Sequence, residues 1–198
     1  MWNQLASCCK LWLIVRVLGI DPGSETTGWG VVEGDGAGGS YGLVEFGVLK
    51  LSPAASFSSR LLKIYRGLEE VIDKLKPDAC AIEEAFYAVN PKVILKLGQV
   101  RGVALLVAES AALEIGEYAP RLVKQTVAGY GNADKRQVQE MVRVLLSLRS
   151  VPEPHDAADA LAVAICHFHH AGVRERLLAA EARMKPNPTV ARPTRRRA

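Results

Sequence analysis

The run Val15 to Ile20 (VRVLGI) is apolar and rich in β-branched residues, and it stops at Asp21-Pro22-Gly23, where Pro and Gly bar further regular pairing. It reads as a strand that ends on an aspartate. Trp29 to Glu33 (WGVVE) and Tyr41 to Leu49 (YGLVEFGVL) read as two more strands, joined by a Gly-rich turn, so an antiparallel meander is expected. From Ser56 the period changes to 3.6: Leu61, Leu62, Tyr65, Leu68, Ile72 and Leu75 form one stripe, which Lys76-Pro77 ends. Ala79 to Ile82 (ACAI) is a short apolar run closing on Glu83-Glu84, a second strand that finishes on a carboxylate. Pro91 to Leu113 reads as a long helix with proline in its first turn and Ile94, Leu97, Val100, Val103, Ala104 and Val107 at helical spacing. Ile115 to Ala119 is a weaker strand, Arg121 to Ala128 a short basic element, and Asp134 to Leu148 another helix. His155 to His169 forms the last helix, followed by a tail rich in Arg and Pro that is expected to be disordered. There are no internal repeats.

The length of 198 residues, with 49% hydrophobic and 23% charged positions, suits one domain that buries its own core. The division expected is an N-terminal extension over residues 1–14, a globular domain over 15–172 and a basic tail over 173–198. The formal charge of +4 is carried by the tail: from Arg183 onward there are six basic residues and no acid, and residues 1–182 hold 19 basic and 21 acidic side chains, a net −2. Phosphate binding by the globular part therefore needs a local patch, for which Arg101, Arg121, Lys124, Lys135 and Arg136 are the candidates. Cys8, Cys9, Cys80 and Cys166 form neither a C-x-x-C nor a disulfide framework, and His167, His169 and His170 beside Cys166 are read as surface and cap residues. No run of about 18 uncharged apolar residues exists to span a membrane. The N-terminal run lacks a small-residue cleavage site, so a cytoplasmic protein is expected.

The chemistry lies in the acids. In DAADALAVAIC, from Asp156 to Cys166, the only polar side chains before the cysteine are two carboxylates at i and i+3. They share a helix face with Ala160 and Val163 and point toward the protein. Two like charges there call for protonation, a basic partner or a metal ion. Asp21 and one of Glu83 or Glu84 stand where apolar strands end, the place at which α/β sheets present their ligand-binding groups. Together these are four hard oxygen donors, of the kind that holds two Mg2+ ions about 3.5–4 Å apart for in-line phosphodiester hydrolysis. Strand alternation puts Glu83 and Glu84 on opposite faces, so one of them is a ligand, and the residues alone leave the choice open. Phe86 and Tyr87, just past this strand end, are rings available to stack on an unpaired base, with a place in the core as the alternative for Phe86.

The segments GIDPGSETTGWGVV, PDACAIEEAF, LKLGQVRGVA, RLVKQTVAGYGNADKRQVQEMV and HDAADALAVAICH, in this order from about Val17 to His169, closely resemble the RuvC family of crossover junction endodeoxyribonucleases. The resemblance implies an RNase H-like α/β fold, a mixed five-stranded sheet with helices on both faces, and a homodimer that resolves four-way (Holliday) DNA junctions in recombination and repair. It implies four metal-binding catalytic acids at Asp21, Glu83, Asp156 and Asp159, selecting Glu83 over Glu84. Two Mg2+ ions per site are implied, with Mn2+ able to substitute. Lys124 and Lys135 match the family's lysines near the cut phosphate, and Phe86, with Tyr87 beside it, matches the aromatic wedge at the crossover. His155 stands where some relatives carry a small residue, and is read as supporting the metal ligands. The RuvA–RuvB branch-migration complex is a further partner to be expected.

The opening GIDPGSETTGWG also looks like the phosphate loop of actin-like ATPases and sugar kinases, but those need two such domains and this chain has length for one. An RNase H-like nuclease acting on RNA, and a junction-binding module without catalysis, are the other readings weighed. Four intact acids speak against the latter.

Overall fold

The computed structural model describes residues 14–34, 40–84 and 90–184, the last thirteen of these by backbone alone. Five strands, β1 (Val15–Asp21), β2 (Thr26–Gly34), β3 (Tyr41–Lys50), β4 (Ala79–Glu83) and β5 (Glu114–Tyr118), form one mixed sheet in the order β3-β2-β1-β4-β5. The first three pair antiparallel as the expected meander, and β1, β4 and β5 run parallel. The fold class is thus the mixed five-stranded α/β architecture expected from the sequence.

The helices are α1 (Phe57–Leu75), α2 (Pro91–Ser110), α3 (Pro120–Ala128), α4 (Lys135–Leu145) and α5 (His155–Met184). Two cores separate them. Leu18, Ile20, Val31, Cys80 and Ile82 face α1 and α2, where Ile64, Leu68, Val100 and Ala104 meet them. Val17, Val32, Ala79, Ala81 and Tyr118 face α3, α4 and α5, where Val123, Val138, Leu161 and Ile165 meet them. Strand alternation thus divides each strand's side chains between two helical layers, and α5 crosses the middle of its layer with every residue from Ala160 to Phe168 buried.

Local signals explain most boundaries. The Ser56 hydroxyl accepts from the Ser59 N–H and starts α1, and left-handed Lys76, ahead of Pro77, ends it. Asp134 and Gln137 form a reciprocal capping box at the start of α4. The parallel crossovers through α1 and α2 then bring the C-terminal ends of β1, β4 and β5 to the same edge.

Several sequence expectations are corrected. Leu62, assigned to the buried stripe of α1, is 49% exposed, and Ile64 and Val71 are buried instead. Ile94 is likewise exposed, because α2 is apolar nearly all round and its pattern selects no face; its buried residues are Val100, Ala104, Val107 and Ala108. Both α2 and α4 stop three residues early, just before Ala112 and Ser147, non-glycine residues with positive φ that turn the chain where no glycine marks the place. The last helix runs to Met184 rather than His169, so residues 173–184, assigned to the disordered tail, continue α5; their Ala, Leu, Arg and Glu content favours helix. Cys80 and Cys166 are buried free thiols, with burial pushing them up to about 12 and about 11. His167, set aside as a metal ligand, bonds through Nδ1 to the Tyr118 hydroxyl at 3.0 Å.

Candidate active site

β1 delivers Asp21 as its last residue, on the face that α5 covers. The loop that follows is held by buried Thr27, whose hydroxyl donates to the Gly23 carbonyl at 2.9 Å. β4 delivers Glu83 beside it, two residues after Ala81 on the same face; the next N–H, of Glu84, donates to the Tyr118 carbonyl at 2.9 Å and fixes the strand end. Register sets Glu83 beside Asp21 on that face, where the two carboxyls interact directly. From the other side, the first two turns of α5 bring in Asp156 and Asp159. Ligand oxygens of Asp21, Asp156 and Asp159 all lie within 4.8 Å of one another.

The energetics are those of crowded negative charge. Burial, then the charges of Asp159 and Asp156, push Asp21 up to about 6. Burial and the neighbouring Asp21 and Asp159 push Glu83 up to about 8, so the two carboxyls share a proton near neutral pH. Burial also raises Asp159, against the pull of Lys135, whose Nζ lies 2.6 Å from Asp159 Oδ2. Burial works against the Lys135 ammonium too, but its bond to Asp159 and the other acids outweigh this and hold it above the ordinary lysine value. One lysine does not neutralise four carboxyls. A set of hard oxygens at this spacing, short of positive charge, fits a divalent cation.

A cavity of about 140 Å³ opens beside the acids, lined by Glu83, Lys124, Lys135 and Asp159 over an apolar floor that includes Val123 and Val138. Lys124 from α3 and Lys135 from α4 therefore both reach the acids, Lys124 through its charge on Glu83. Arg121 and Arg136 are exposed on the same two helices. Arg101 is placed elsewhere: it pairs with Glu117, which shares the α2-facing side of β5 with Ile115, across the sheet from the carboxylates. His155 is exposed at the start of α5, and its charge acts on Asp159. Phe86 and Tyr87 lie outside the described residues. Sequence reading missed Thr27, which only its burial reveals, and Tyr130, 48% exposed in the turn between α3 and α4.

Comparison with known proteins adds independent findings. Residues 17–167 match the family model described as crossover junction endodeoxyribonuclease RuvC. The chain is similar to proteins of that name from Chloroflexus aggregans, 52% identical over 82% of this chain and 98% of the relative, and from Caldanaerobacter subterraneus, 46% identical over the same shares. Among solved structures it resembles Thermus thermophilus RuvC in complex with a Holliday junction substrate, with a TM-score of 0.76, 37% identity and coverage of 81% of this chain and 96% of that one. The yeast mitochondrial Holliday junction resolvase Ydc2, at 15% identity and a TM-score of 0.60 over 85% of this chain and 84% of that one, shares the fold.

With folded-state values raised above the ordinary carboxylate range, metal-free protein keeps protons on Asp21 and Glu83 that the unfolded chain has already released. Its stability is therefore greatest below about pH 4.5 as far as these groups contribute, and falls as pH climbs toward 8. Glu83→Gln removes much of that fall. Thermal melts in EDTA across this range should show the variant melting at least ~3 °C above the parent at pH 8.5. Superimposable profiles would contradict the charge crowding.

Proposed function

The chain belongs to the RuvC family of crossover junction endodeoxyribonucleases, and from that premise we propose how its own residues carry out the resolution of Holliday junctions. It is a nuclease that hydrolyses phosphodiester bonds in four-way junction DNA, and its family uses divalent metals. The observation that carries the site reading is the convergence of Asp21, Asp156 and Asp159 within 4.8 Å, from two elements 135 residues apart in the chain.

Asp21, Glu83, Asp156 and Asp159 would hold the metal, with two Mg2+ ions as the native cofactor and Mn2+ as a substitute. When bound, the ions activate the attacking water and stabilise the oxygen that leaves phosphorus. A divalent cation held here would supply the positive charge that favours the ionised forms of Asp21 and Glu83. Lys135 and Lys124, which line the cavity beside the acids, would oppose the charge of the cleaved strand's phosphate with their ammonium groups. Arg121 and Arg136 continue this positive edge along α3 and α4, while Arg101, held by Glu117, is left out of it. His155 steadies the Asp159 end of the cluster by its charge. Phe86 and Tyr87, which follow Glu83 in the sequence, are the rings we propose to stack at the crossover. Neither the RNA reading nor the non-catalytic one gains support from any feature of this geometry.

Paired cuts need two copies of the site. On α2, Leu95 and Leu106 are 65% and 58% exposed, and between them Gly98 and Gly102 lie on the same stripe with open space above. An apolar helix face with glycines at its centre lets a second copy approach closely about a two-fold axis, and it lies across the sheet from the acids, leaving both sites free for DNA. We take the protein to be a homodimer through this face, working in the cytoplasm on chromosomal junctions, with the RuvA–RuvB complex as its supplier of positioned junctions. Among the described residues no helix is long and apolar enough to cross a membrane.

Asp156→Asn should bind a synthetic four-way junction in EDTA as the parent does, and lose at least ~100-fold in nicking once Mg2+ is added. Nicking at the parent rate would remove Asp156 from the site. Leu106→Glu should convert a dimer to a monomer by sedimentation velocity and uncouple the two cuts. An unchanged sedimentation coefficient would place the interface elsewhere.

A further inference from the structure

On the face of the sheet that α5 covers, β1 presents Val17, Gly19 and Asp21, and β2 presents Gly28, Gly30 and Val32. The glycines in the middle of this face are not required by backbone conformation: among the described glycines only Gly129 has a positive φ. They cost strand stability, since glycine lowers strand propensity and packs no side chain. What requires them is space. A Cβ on Gly28 would overlap the carbonyl oxygen of Asp156 and come within 3.1 Å of the Ala157 nitrogen. A Cβ on Gly19 would overlap the Ala160 carbonyl and lie 2.8 Å from the Ala164 nitrogen. At both points α5 rests backbone against backbone on the sheet. Gly30 differs in degree: a Cβ there meets the Cδ2 and Cγ atoms of Leu161 at 2.5 and 2.7 Å, while the nearest α5 backbone atom, the Leu161 nitrogen, is 3.5 Å away.

Gly28 has one more property. It sits directly opposite Asp21 in the β1–β2 ladder. A single backbone contact therefore joins the residue paired with one metal-binding aspartate to the main chain of another. We infer that Gly28 is a positioning residue whose contact with Asp156 gauges the gap between Asp21 and the helix-borne acids, and so sets which size of divalent ion the cluster holds. The inference rests on the metal reading of the site. With no side chain on either partner to bend, a methyl group at Gly28 must lift the first turns of α5, and Asp156 and Asp159 move away from Asp21 together.

The test is thermal-shift titration of the full chain, without DNA, using Mg2+, Mn2+ and Ca2+ as separate probes, alongside junction binding in EDTA. Gly28→Ala should bind junction as the parent does, yet need at least ~10-fold more Mg2+ for half-maximal stabilisation, with a smaller loss for the larger Ca2+. Gly30→Ala, which presses on a side chain of α5 and not on its backbone, should lose less Mg2+ affinity than Gly28→Ala. Adding Asp21→Glu to Gly28→Ala, which lengthens the reach by one methylene, should recover part of the lost affinity. Parent-like metal titrations of Gly28→Ala would overturn the inference. Asp21→Glu alone decides the matter even if Gly28→Ala does not fold: a gap fixed by backbone contact costs this variant at least ~10-fold in Mn2+ affinity, and parent-like affinity would mean that α5 shifts freely. If the parent gains no stability from any of the three ions, the metal reading itself fails, and the gauge with it.

Discussion

Carboxylates crowded into a half-buried space repel one another, and this structure is organised around holding them there. Burial first, and then the neighbouring carboxylates, push Asp21 up to about 6 and Glu83 to about 8. The fold opposes that repulsion with packing. Asp21 and Glu83 are the last residues of adjacent parallel strands, and Asp156 and Asp159 sit at the start of a helix whose following residues, Ala160 to Phe168, are all buried. The buried residues that follow anchor this helix and so oppose the repulsion that would move its first turn away from the strand ends. On the proposed reading, a divalent cation would relieve this strain, so that an electrostatic liability without metal becomes a catalytic site with it.

The two faces of the sheet divide the remaining labour. The α1 and α2 side is hydrophobic core overlain by a helix with exposed leucines and bare glycines, the surface proposed above for a second copy of the chain. The other side holds the acids, the two lysines and the small cavity between α3, α4 and α5. Alternation along β4 makes the separation at the level of single residues: Ile82 enters one core, Glu83 the metal cluster. Where the sheet carries no side chain at all, at Gly19 and Gly28, α5 comes close enough for its aspartates to join those of the strands.

Much of this was legible in the sequence, for identifiable reasons. Strand ends at Asp21 and Glu83 and a carboxylate pair at helical spacing in an apolar run are local signals that tertiary packing did not override. The losses are equally specific. Ile94 and Leu62 were misassigned because period alone does not rank faces when apolar residues spread around a helix. The ends of α2 and α4 fell at Ala112 and Ser147, where strained turns carry no glycine to announce them. Residues 173–184 were grouped with the Arg- and Pro-rich tail, although their own Ala, Leu and Glu favour helix. Glu83 was distinguished from Glu84 only by family resemblance until register placed it. Arg101 looked like any phosphate-binding arginine, and only the fold revealed Glu117 beside it. Gly28 carries no functional group, so its importance is visible only from what occupies the space its side chain would fill.

The claim on which all of this depends is that the four acids converge on divalent ions. Anomalous diffraction from crystals soaked in Mn2+ tests it directly. The account predicts anomalous peaks within coordination distance of the Asp21, Asp156 and Asp159 oxygens and their loss in an Asp21→Asn crystal. Ordered Mn2+ at other surface carboxylates, with none among these three, would contradict it.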